Sequence, residues 1–188
     1  MWLVGLVFAA WGGSPGSPPA AIQVSAEEAS RLAAREVVVR PSSAGGGQTV
    51  AIADCRATPA EVIAAVVDVE ARRGEVGAIT DVQVYDRQPD PVGARFTITV
   101  VGSDTVFHVR YDVDAAGGYT KYHLDPTKPN DLTQSDGSYQ AYVLGDVTRL
   151  VFRTTVDNGG WVPGWVKEKL TAGPLVDQIN GIRARAEK

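Results

Sequence analysis

Few residues of this 188-residue chain combine a reactive type with a spacing that could support covalent chemistry. Cys55, the sole cysteine, stands between Asp54 and Arg56, and a neighbouring cation can hold a thiol as a nucleophilic thiolate. No histidine lies close in sequence to act as its base. The preceding Ala51-Ile52-Ala53 reads instead as a buried run in which a lone thiol is a small hydrophobe. His108 and His123 are the two histidines, and neither shows the spacing of a zinc ligand set. Gly12-Gly13-Ser14-Pro15-Gly16 falls in a Gly/Ser/Pro-rich run and not on a strand-to-helix Gly-x-Ser-x-Gly elbow, and Ser103-Asp104 and Ser135-Asp136 read as turn dipeptides. Gly45-Gly46-Gly47 is not followed by the Lys-Ser/Thr of a phosphate loop. The carboxylate pairs Asp112/Asp114 and Asp86/Asp90 fall on strand ends and loops rather than facing one another across a site. The residues therefore predict no catalytic set, no metal and no cofactor.

What remains is a set of aromatic and aliphatic side chains on alternating positions. In Arg95–Val100, Phe96, Ile98 and Val100 share a face. In Thr105–Val113 the same holds for Phe107, Val109, Tyr111 and Val113, with His108, Arg110 and Asp112 opposite. Further strands are expected at Val37–Val39, Thr49–Ala53, Asp81–Tyr85, Tyr119–Leu124, Gly137–Leu144 and Arg149–Val156. Glycine-bearing turns of meander spacing separate the later ones. Parity predicts an inward set of Phe96, Ile98, Phe107, Val109, Tyr111, Tyr122, Tyr142, Leu150 and Phe152, with Trp161 and Trp165 where the last helix meets the rim. Hydroxyls of Tyr111, Tyr122 and Tyr142 could orient a ligand or move a proton, but no base of near-neutral pKa accompanies them.

Three helices must frame these strands. Ser25-Ala26-Glu27-Glu28 has the capping-box pattern and starts a short helix to about Arg35. Thr58-Pro59-Ala60-Glu61 supplies an N-cap, a proline at the first helical position and an acidic third residue, opening a helix expected to end near Gly74. The last helix should start near Pro163 and run to the terminus, kinked or broken at Gly173-Pro174.

Length and composition (44% hydrophobic, 21% charged) favour one folded domain. A formal net charge of -4 gives no nucleic-acid footprint. Residues Trp2–Trp11 are apolar, Gly12–Pro19 is rich in Gly, Ser and Pro, and Val24-Ser25-Ala26 resembles a cleavage site. This predicts a leader or signal peptide over 1–26 and an exported protein, periplasmic or secreted; without it the chain would be cytoplasmic. An N-terminal helix-and-strand extension (27–47) and a main domain (48–188) follow.

The order of strand, short helix, antiparallel strands and long terminal helix resembles the helix-grip fold of the START-like (SRPBCC) superfamily, which includes lipid-transfer START domains, polyketide cyclases and coenzyme Q-binding proteins. Two stretches carry the resemblance. Ala57-Thr58-Pro59-Ala60-Glu61-Val62-Ile63, continuing through Val67-Asp68-Val69-Glu70, resembles the start of the family's first helix. Gly159-Gly160-Trp161-Val162-Pro163-Gly164-Trp165-Val166 resembles the step into its terminal helix. The chain departs from the pattern at Arg72-Arg73-Gly74-Glu75-Val76-Gly77, where relatives often carry an aromatic-proline-tryptophan stretch. The resemblance implies an α+β helix-grip fold, a curved antiparallel sheet wrapped around a long C-terminal α-helix. It implies an internal cavity that binds or transports a small hydrophobic ligand (lipid, quinone or polyketide-like), with transient membrane contact. The alternatives are a cyclase or aromatase using the same cavity, or an envelope module that binds a protein partner.

Overall fold

The structure, a computed structural model, describes residues 15–42, 48–87, 92–100, 102–157 and 164–188; for Val100 and residues 164–172 it describes the backbone only. Among the described residues, eight strands form one antiparallel sheet: β1 (Val38–Arg40), β2 (Thr49–Cys55), β3 (Ile79–Asp86), β4 (Val92–Val100), β5 (Ser103–Asp114), β6 (Tyr119–Leu124), β7 (Gln134–Leu144) and β8 (Val147–Asp157). Their spatial order is β1-β2-β8-β7-β6-β5-β4-β3, so β3 to β8 make a continuous meander and β2 joins its far end. Register shifts in the β3–β4 pair, at Ile79/Asp81 and Val84/Asp86, mark bulges of the kind that bend a strand and raise its twist.

The helices are α1 (Ala26–Ala33), α2 (Pro59–Val67) and α3 (Gly164–Ala186). Both anticipated capping boxes form: Ser25 with Glu28, and Thr58 with Glu61, each side chain bonding the other residue's amide. Two helix expectations need correction. α2 stops at Val67 rather than near Gly74, and the chain then passes through a 3₁₀ turn at Glu70–Arg72. The reason is local: Val66-Val67-Asp68-Val69 combines β-branched residues with an aspartate, all weak helix formers. α3 runs unbroken through Pro174. Buried Leu175, Ile179 and Ile182 anchor the helix beyond the proline, which costs it one amide donor.

The sheet buries two separate apolar clusters. The larger lies on the inner face, between sheet, α2 and α3, and includes Ala51, Ala53, Val62, Val66, Phe96, Val109, Tyr111, Tyr139, Leu150, Phe152, Ile179 and Ile182. A second lies on the outer face of β1, β2 and β8 under α1: Leu32, Val38, Ile52 and Val151, with Ile22, Val24, Val50 and Tyr142 packed around them. The outer cover includes part of the segment expected to be a leader. The Ile22 amide donates to Tyr142 Oη (3.3 Å), Gln140 Nε2 donates to the Pro19 carbonyl (2.7 Å), and Arg40 donates to the Gln23 carbonyl (2.7 Å) while pairing with Glu28. The architecture is the expected α+β helix-grip, a curved antiparallel sheet with a long C-terminal helix.

Candidate functional site

The inner face carries most of the anticipated set. Phe96, Phe107, Val109, Tyr111, Tyr122, Leu150 and Phe152 are buried in the inner cluster, and partly buried Ile98 packs against it. Tyr142 is a correction: it sits on the outer face, opposite Arg149 on β8, and packs with the outer cluster. The inward tyrosine of β7 is Tyr139, opposite Phe152. Alternation permits one parity per strand, and the register with β8 selects the one that buries Tyr139 and Ala141. Trp161 and Gly159-Gly160 lie outside the described residues, as does the side chain of Trp165 in the first turn of α3.

Within the inner cluster the aromatic side chains form two ring groups, which meet at Arg72. Phe96 and Phe107 stack with centroids 5.5 Å apart, and Tyr139 and Phe152 stack at 4.2 Å. Tyr122 joins the second pair, tilted at 5.7 Å to Tyr111, 6.0 Å to Tyr139 and 6.1 Å to Phe152. The separations from 5.5 to 6.1 Å fall in the favourable range for aromatic pairs, and Tyr139 and Phe152 stack more closely. Gly137 makes room for Tyr122: a Cβ there would stand 2.8 Å from its ring. The polar tips are satisfied. Tyr122 Oη shares a hydrogen bond with Thr154 Oγ1, and Tyr139 Oη accepts one from Gln178 Nε2 on α3. Burial pushes the phenols of Tyr122 and Tyr139 well above the usual tyrosine range, so both are neutral near pH 7.

The residue where the two groups meet is one the sequence reading did not select. Arg72, at the end of the 3₁₀ turn, is only 5% exposed. Its guanidinium carbon lies 5.6 Å from the Tyr111 ring centroid, 5.7 Å from that of Tyr139 and 5.8 Å from that of Phe96. Nη1 donates to Tyr111 Oη (2.8 Å) and Nη2 to the Val66 carbonyl at the end of α2 (2.9 Å), while Nε has no partner. The bond to Val66 caps α2, where a cation suits the negative end of the helix dipole. Burial opposes the charge most strongly, but the hydrogen bond to Tyr111 favours it and a guanidinium holds its proton far above neutral pH, so Arg72 stays cationic.

Among the described residues no carboxylate meets Arg72. Those nearby in sequence are engaged elsewhere: Glu70 with Arg87 (2.7 Å), Glu75 and Asp68 with Arg185 of α3, and Asp81 with Arg95 (3.3 Å). An unpaired buried ion costs several kcal/mol. Three ring faces at about 0.5–2 kcal/mol each offset part of that. The signal for Arg72 was present in the sequence: 72–77 is the stretch already singled out as departing from the resemblance.

Beside the 3₁₀ turn, a pocket of about 160 Å³ lined by Val67, Asp68, Val69, Glu70, Val84, Arg87 and Val92 opens between the α2 linker and β3–β4. Cys55 is fully buried, and burial, with Glu187 nearby, raises its thiol to about 11, so it is not a thiolate near neutral pH. His108 Nδ1 meets the Pro129 carbonyl at 2.9 Å, and His123 lies 3.8 Å from Asp112; both are on the outer face. Among the described residues no group of three or more His, Cys, Asp or Glu could hold a metal ion, and no helix is long and apolar enough to cross a membrane.

No protein-family model matches the chain, and no curated protein matches it. Solved structures do. A START superfamily protein from Mycobacterium smegmatis superposes with a TM-score of 0.60 at 21% identity, over 76% of this chain and 98% of that one. The Zhui aromatase/cyclase from Streptomyces sp. R1128 gives 0.62 at 17% identity, over 75% and 93%. A STAR-related lipid transfer protein from Xanthomonas axonopodis gives 0.65 at 13% identity, over 81% and 93%. The chain has the START-like helix-grip fold.

Proposed function

We propose that this protein binds or carries a small hydrophobic molecule, a lipid, quinone or polyketide-like compound, against the inner face of its sheet. The observation that supports this most is the aromatic wall of Phe96, Phe107, Tyr111, Tyr122, Tyr139 and Phe152, in which a few polar groups are fixed at defined points. Sites for small ligands combine such apolar linings with sparse, well-placed polar groups. The named neighbours support the same reading: one is a lipid transfer protein and one an aromatase/cyclase acting within this fold. Burial alone supplies useful affinity. At roughly 25 cal/mol per Å², an apolar tail losing about 400 Å² of exposed surface gains about 10 kcal/mol before the costs of association. Micromolar binding needs about 8 kcal/mol net. The pocket beside the 3₁₀ turn is our candidate for access.

Calorimetric titration with dodecanol as a neutral probe tests this. Saturable binding is expected, weakened about tenfold or more by Phe107→Trp, which adds bulk to the inner wall. Absence of binding, or equal affinity in the variant, contradicts the reading.

One observation favours a second reading, cyclase or aromatase chemistry. Tyr111 Oη is held by a guanidinium, an arrangement that could polarise a ketide carbonyl. Against it, the buried Tyr122 and Tyr139 are too weakly acidic to act as bases near pH 7, and both histidines face outward. Turnover of a poly-β-ketone probe, lost in Tyr111→Phe, would establish catalysis.

A further inference from the structure

We propose that the bound molecule carries a carboxylate and that Arg72 is the group that receives it. This rests on the reading that the inner face holds an apolar ligand, and it adds the chemical class of that ligand's head. Three observations carry it. First, the guanidinium has unused capacity: of the roughly five N–H donors of an arginine side chain, two are engaged by Tyr111 and Val66, the Tyr139 hydroxyl also lies against the group, and Nε is buried without a partner.

Second, no group of the protein neutralises it among the described residues. Glu70, Glu75, Asp68 and Asp81 pair with other arginines, and the adjoining Tyr122 and Tyr139 remain neutral phenols. Third, the surroundings are aromatic. A charged group arriving there does so on an apolar body, and the rings of Phe96, Tyr111 and Tyr139 limit the competition from water.

A purely architectural role accounts for less. Capping Val66 and supporting Tyr111 requires two N–H donors, which a neutral glutamine amide also offers. It requires neither a full positive charge nor a free Nε–H. The planar fork of a guanidinium matches a carboxylate through two parallel N–H···O bonds, and the edge that carries Nε is the one without a hydrogen-bond partner. In a site shielded from water that pairing discriminates strongly between an acid and its neutral analogues.

The test compares dodecanoate, methyl dodecanoate and dodecanol by calorimetry near neutral pH, below their aggregation limits. The wild-type chain should bind dodecanoate about 10- to 100-fold more tightly than either neutral probe, the range expected for hydrogen bonds to a charged group. In Arg72→Gln the ratio of dodecanoate to dodecanol affinity should fall to about one, as expected when the charged pairing is removed. Equal wild-type affinity for the three probes overturns the carboxylate assignment and leaves the apolar-ligand reading standing. Failure of all three to bind overturns both. Preference for the acid that survives in Arg72→Gln overturns the role of Arg72. Should that variant fail to fold, the wild-type comparison of acid with alcohol decides alone.

Discussion

Arg72 occupies a position where charge opposes stability, and this makes its substitutions informative. Arg72→Met keeps the length and apolar stem but removes the ion, and exchanging a buried ion for a well-packed apolar group is often neutral or stabilising. We expect the midpoint of urea unfolding to hold or rise in Arg72→Met and to fall in Arg72→Ala, which also leaves a void beside Phe96, Tyr111 and Tyr139. A large loss in both would mean that the cation itself holds the fold together. On the outer face Asp125 is the contrasting case, a buried carboxylate with full support. Tyr85 Oη donates to it at 2.7 Å, Thr127 donates from both amide and hydroxyl, and Arg110 lies at 3.4 Å. Burial alone would raise its pKa; these donors outweigh burial and depress it. A carboxylate with a lowered folded-state pKa contributes stability above its unfolded value, about 3.9, and loses that contribution as pH falls through the folded-state value. Asp125→Asn should therefore be less stable than wild type by about 1–3 kcal/mol at neutral pH. The gap should narrow in urea titrations below about pH 4. A constant gap would contradict the role assigned to the charge. Individual residues were legible unevenly. Phe96, Phe107 and Phe152 followed from alternation, whereas Tyr142 did not. Counting back from the two-residue turn Gly145-Asp146 pairs Phe152 with Tyr139 and sets Tyr142 against Arg149 on the outer face.

Among the elements, strand spacing and both capping boxes could be read directly, because alternation and cap chemistry are local. The end of α2 and the path of α3 past Pro174 depend on what packs against them, which local pattern does not hold. The N-terminal segment also depends on what it packs against: Ile22 and Val24 lie on the outer cluster and Ser25 caps α1. A chain beginning at Glu27 should melt several degrees below one beginning at residue 15. Loss of the cap costs about 1 kcal/mol and the lost packing a comparable amount, and each kcal/mol moves Tm by about 2–4 °C at this size. Equal melting temperatures would contradict a structural role for residues 15–26. The two sheet faces make a separate prediction. Val151→Ala on the outer face should cost about 1–3 kcal/mol in urea unfolding. Its affinity for dodecanol should equal that of wild type, unlike Phe107→Trp.

At the scale of the whole molecule, the architecture was legible because its parts are strongly patterned: a meander, a capped short helix after β2, and a long terminal helix that needs an apolar surface to lie on. The site was legible as a surface but not as chemistry, since Arg72 reaches its ring partners from β4, β5 and β7 only once the sheet has curved. With apolar clusters on both faces, the account depends on the inner one receiving the ligand. The most direct measurement is the intermolecular nuclear Overhauser effect between bound dodecanol and specifically labelled methyl groups. The account predicts contacts to Val109, Leu150 and Ile179 of the inner cluster and none to Leu32, Val38, Ile52 or Val151 of the outer one. Contacts confined to the outer methyls, or a saturably bound probe that touches neither set, would contradict it.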